Sequence, residues 1–130
     1  MDMLKKIIVI IVLYTGIDGF SQSLDCSKFK NAKFYAPAFP TQYAVRKDSI
    51  QESYNDGKLE IIWKVKWLSD CKYEMECLKN MGEEQVKPGD KFIYTITEIE
   101  DDCFRTSIWY SNEKYPQGDT FERILCIKKD

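Results

Sequence analysis

The chain is 130 residues long, carries 19 basic and 21 acidic side chains for a net charge of −2, and contains no histidine. That length suits one hydrophobic core. The acidic balance excludes the strongly basic face of a nucleic-acid binder, and the missing histidine, with no Cys-x-x-Cys present, removes the usual zinc constellations and the commonest catalytic base.

The first predicted element is a leader. Lys5 and Lys6 form a positive start, Ile7 to Leu13 an unbroken apolar run, and Tyr14 to Ser21 a more polar exit, which is the three-part layout of a secretory signal peptide. Small residues at Gly19 and Ser21 place the cut before Gln22. Residues 1–21 are therefore read as a signal peptide and 22–130 as a single β domain, periplasmic or secreted. The apolar run falls well short of the roughly 20 residues that a bilayer span needs, so no stable membrane span is expected after cleavage. Asp25 stands where lipid attachment at Cys26 would want a small neutral residue. Five cysteines, at 26, 71, 77, 103 and 126, leave at least one thiol over; export permits disulfides, and spacing alone does not reveal the pairing. No Cys-x-x-Cys occurs.

Beyond the leader the apolar period is two, with β-branched and aromatic residues and no long helical stripe, which predicts a nearly all-β domain. Lys28, Lys30 and Lys33 read as solvated positions beside a first strand over 33–36. Residues 43–48 feed one long strand that ends at Tyr54. Asp56-Gly57 then suits a type I′ hairpin loop, and counting back from it pairs Tyr54 with Leu59, Glu52 with Ile61, Ile50 with Trp63, Asp48 with Val65 and Arg46 with Trp67. Gln51 and Ser53 fall on the polar face. A turn at Leu68-Ser69-Asp70 sets Trp67 opposite Cys71, Val65 opposite Tyr73, Trp63 opposite Met75 and Ile61 opposite Cys77, in agreement with the same face assignment. Lys87-Pro88-Gly89-Asp90 suits a type II turn, a strand runs over 91–99, a charged tip follows at 100–102, and further strands cover 103–110 and 121–127. Seven or eight antiparallel strands in an up-and-down meander are expected to curl into a small barrel or half-barrel that hides its edges.

Cys26-Ser-Lys-Phe-Lys-Asn-Ala-Lys-Phe34 and Val65-Lys-Trp-Leu-Ser-Asp-Cys-Lys-Tyr73 resemble a group of short, exported, uncharacterised bacterial β proteins whose automatic label is DNA topoisomerase IV. The leader, the acidic balance and the lack of a glycine-rich ATPase loop contradict that label for this chain. The strand pattern is also similar to lipocalin-like barrels, although no Gly-x-Trp stands in the opening strand. The resemblance, with the positions of the two residues at the chain entry and beside a hairpin turn, implies a Cys26–Cys71 disulfide. Cys77, facing the apolar side, is the expected free thiol.

Three constellations bear on function. Trp63, Trp67, Tyr73, Phe92, Tyr94 and Trp109 either fill a core or line a pocket for an apolar ligand. Glu98, Glu100, Asp101 and Asp102 crowd a tip but lack the spacing and glycine of a calcium loop, so no metal or cofactor is expected. Arg46, placed inward beside Trp67, demands a partner. Either it stacks on the indole and pairs with Asp48, or it anchors a ligand carboxylate with Trp63, Trp67 and Tyr73 as the apolar wall. There is no nucleophile elbow and no phosphate loop, so an enzyme is not expected. The expected function is a small β-barrel binding module for an apolar or acidic ligand; the alternative is a structural or protein-interaction domain with a filled core.

Overall fold

The computed structural model describes residues 24–82 and 85–129; the proposed signal peptide and its cleavage site lie outside the described residues. The strands are β1 (Ala32–Ala36), β2 (Phe39–Lys47), β3 (Ile50–Asn55), β4 (Lys58–Ser69), β5 (Lys72–Asn80), β6 (Lys91–Glu100), β7 (Cys103–Tyr110) and β8 (Asp119–Ile127). They pair antiparallel in chain order, and β1 meets β8 to close the barrel. The closing seam is short: Phe34 opposes Ile127 and Tyr35 opposes Cys126, extended by the Lys128 N–H donating to the Lys33 carbonyl at 2.7 Å.

Turn chemistry explains most of the meander. Asp56 and Gly57 both hold positive φ, 50° and 79°, as a type I′ loop requires. At Lys87-Pro88-Gly89-Asp90, Gly89 takes φ 94° and the Asp90 N–H donates back to the Lys87 carbonyl at 2.9 Å. The expected single strand from Tyr43 to Tyr54 is instead two. Asp48, at φ 57°, turns the chain so that Lys47 opposes Ile50 and Arg46 opposes Gln51. Aspartate tolerates this left-handed conformation without glycine, and the Asp48 N–H is taken up by Asn31 Oδ1 at 2.6 Å.

The β3–β4 register departs from the count just beyond the hairpin. Tyr54 opposes Leu59 as expected, but Ser53 opposes Ile61, which leaves Glu60 outside the ladder as a bulge. One extra residue reverses the faces of everything beyond it. Gln51 and Ser53 therefore turn inward with Trp63 and Ile61, while Ile50 is exposed. Between β4 and β5 the register slips by two, with Trp67 opposite Tyr73, Val65 opposite Met75 and Trp63 opposite Cys77. An even slip keeps the inward set unchanged, and Val65, Tyr73, Met75 and Cys77 are all buried. The residues squeezed out of this ladder are Leu68 and Leu78, which are exposed.

One end of the barrel is stoppered by the chain entry. The 3-10 turn Ser27–Phe29 inserts Phe29, fully buried, against Phe104 and Phe34 with ring centroids 4.4 and 6.5 Å away. A Cys26–Cys71 disulfide ties this plug to the β4–β5 turn, and Lys28 binds the β6–β7 tip through the Asp101 carbonyl and, at 3.7 Å, the Asp102 carboxylate. A second disulfide joins Cys103 to Cys126, residues directly opposite in the β7–β8 ladder. Cys77 is free and buried, opposite Trp63 rather than Ile61. Burial pushes its thiol pKa up, away from the reactive thiolate. Iodoacetamide at pH 8 should leave the folded protein unlabelled and add one carbamidomethyl group after denaturation without reductant; labelling of the native state would show that Cys77 is accessible.

Candidate functional site

Arg46 is the centre of the site. It lies near the end of β2, only 2% exposed, with its guanidinium carbon 4.3 Å from the Tyr73 ring centroid, 4.7 Å from Phe34 and 5.8 Å from Trp67. Nη1 donates to the Phe29 carbonyl at 2.8 Å and Nε to Gln51 Oε1 at 2.8 Å. The expected pairing with Asp48 does not occur, because Asp48 is an exposed turn residue on the chain reversal. Among the described residues no carboxylate lies within ion-pair distance of Arg46. A buried cation thus rests on two neutral acceptors and three aromatic faces.

Beside Arg46 the barrel holds a partly open cavity of about 110 Å³. Arg46, Gln51, Ser53, Trp63, Met75 and Tyr94 line it, with Arg123 and Glu60 as its other charged residues. The charged lining is therefore two arginines and one glutamate. Arg123, on β8, packs over the Phe39 ring at 5.4 Å.

The candidate residues are sorted by this geometry. Trp63 and Arg46 line the cavity, whereas Trp67 and Tyr73 do not; their rings pack at 4.7 Å, tilted by 44°, and support the guanidinium. Trp67 Nε1 and the Tyr73 hydroxyl are buried without a hydrogen-bond partner among the described residues. Tyr73 also stacks on Tyr94 at 4.9 Å, and Phe92 packs edge-on to Trp63 at 5.8 Å. Trp109 leaves the set: it is 43% exposed and lies on the outer wall against Gly118, where an added Cβ would sit 2.3 Å from its Nε1. The acidic tip is occupied by lysines. Asp102 contacts Lys129 at 2.8 Å and Lys28 at 3.7 Å, and the hydrogen bond from Lys129 holds its carboxyl below the usual range.

Gln51, Ser53 and Arg123 were not legible as site residues. The first two were assigned outward by a count that could not see the Glu60 bulge. The signal available was weak: Gln51-Glu-Ser53 has polar residues at every position, so no apolar alternation marks a face.

The fold and cavity define the class, an eight-stranded antiparallel meander barrel with a plugged floor and a cationic lumen. No protein-family model, no curated protein and no solved structure matches the chain.

Proposed function

We propose that the chain is an exported binding module that holds a small ligand in its barrel lumen, with Arg46 as the anchor for an acidic group. The observation that carries this reading is a guanidinium, 2% exposed, beside a cavity with no carboxylate in ion-pair reach among the described residues. Burying an unpaired charge is costly, and a ligand anion would offset that cost. Two disulfides support an oxidising compartment, periplasmic or extracellular. The chemistry is recognition rather than catalysis, with lipocalin-like carriage as the nearest analogy of architecture.

A second reading has its own support. The bond from Arg46 Nη1 to the Phe29 carbonyl gives the arginine a structural task, clamping the plug in a barrel that carries nothing and works through its surface. Native mass spectrometry of protein purified from its own host separates the two. The binding reading expects added mass on the wild type and none on Arg46→Met. The structural reading expects no added mass on either protein, with a lower unfolding temperature for the variant.

A further inference from the structure

We infer that the ligand is a small monocarboxylate whose apolar body is about the size of one ring, held by a donor-rich floor made of Arg46, Gln51 and Ser53. This inference rests on the luminal binding reading and specifies its ligand. The hydrogen-bond directions carry it. Arginine can only donate, so the amide oxygen of Gln51 must face Arg46 Nε, at 2.8 Å, and the amide nitrogen with its two N–H groups is turned away from that bond. Ser53 Oγ accepts from Trp63 Nε1 at 3.1 Å, which leaves the hydroxyl proton of Ser53 to donate elsewhere.

All three residues line the same cavity. Their spare donors are guanidinium N–H, amide N–H and hydroxyl O–H, and they outweigh the lone pairs left on Ser53 Oγ and Gln51 Oε1, the latter turned towards Arg46. A ligand carbonyl or alcohol would satisfy one such group, while a carboxylate presents two oxygens with several lone pairs and neutralises the arginine as well. Arg123 on the same cavity wall raises the positive potential further, and Glu60 is the single opposing charge.

Size sets the second half of the proposal. A cavity of about 110 Å³ is of the order of the ~150 Å³ apolar cavity known to accept benzene. Because the cavity is only partly enclosed, a long acyl chain would have to leave it and run out into solvent. Trp63, Met75 and Tyr94 provide apolar surface for a ring or a short branched chain above the carboxylate.

Isothermal titration of the mature protein, stripped of any bound molecule by unfolding and refolding, tests the inference with three probes: benzoate, benzyl alcohol and palmitate. Benzoate is expected to bind at least about tenfold more tightly than benzyl alcohol, the difference one charge-assisted hydrogen bond supplies, with palmitate weakest. Ser53→Ala removes both this donor and the acceptor of the Trp63 Nε1 bond, so it should weaken both probes, with benzoate losing about tenfold more than benzyl alcohol because only the carboxylate forfeits a charge-assisted bond. Equal affinity for benzoate and benzyl alcohol would overturn the carboxylate assignment while leaving luminal binding intact. Palmitate as the tightest probe would overturn the size assignment alone. If no probe binds and native protein carries no added mass, the luminal reading itself fails.

Discussion

Replacing both Cys26 and Cys71 with serine should lower the stability of the barrel by about 4 kcal/mol on the chain-entropy estimate for a separation of 45 residues. For a domain of this size that corresponds to a fall in unfolding temperature of roughly 15–30 °C. The effect is large because the closed loop is long and because the bond holds the plug, not merely two neighbouring strands. The Cys103–Cys126 bond spans 23 residues and should be worth about 3 kcal/mol by the same estimate. Thermal unfolding of the two double variants checks both the size and the order. A loss of only a few degrees for Cys26/Cys71, or a larger loss for Cys103/Cys126, would show that the plug is held chiefly by its packing.

Phe29→Ala is the second substitution with a large expected effect, about 3–5 kcal/mol, the usual cost of deleting a buried aromatic ring. Phe29 is fully buried, its ring lies 4.4 Å from Phe104, and its carbonyl accepts from Arg46. The backbone contact survives the substitution, but the ring that keeps the turn seated does not. Urea unfolding of the variant should show a lower midpoint and an unchanged slope. A loss below about 1 kcal/mol would mean that neighbouring side chains collapse into the space.

The parts of the fold that could be read from the residues share a physical basis. Positive-φ requirements at Asp56-Gly57 and Gly89 are local, so two turns followed directly. The inward set of β4 and β5 also followed, since alternation over Ile61, Trp63 and Val65 is clear and the slip between these strands is even from Trp63 to Trp67. The β3 faces did not. Asp48 reverses the chain without glycine or proline to mark it, and Glu60 inserts one residue opposite a β3 stretch, Gln51-Glu52-Ser53, that is polar on both faces. Arg46 was expected inward through a pairing with Trp67 that does not exist; it is inward because β2 alternates as its own strand, and it reaches Trp67 across the lumen at 5.8 Å. The partner of Cys103 was hidden for a different reason. The connection between β7 and β8 is long, so no two-residue loop fixed which residues of that hairpin would face each other.

The order of the cysteines has a consequence for how the molecule is assembled. A chain made from its N-terminus presents Cys26 and then Cys71, and these two belong together. Cys103 and Cys126 emerge last and also belong together. Pairs that are successive along the chain can be oxidised as they appear, without the reshuffling that nested pairs demand. The exception is Cys77, only six positions after Cys71, which becomes available to Cys26 almost as soon as the correct partner does. Its seat on the inner face of β5, opposite Trp63, buries it in the folded β4–β5 hairpin, so closing that hairpin before oxidation would leave Cys26 with Cys71 as its accessible partner.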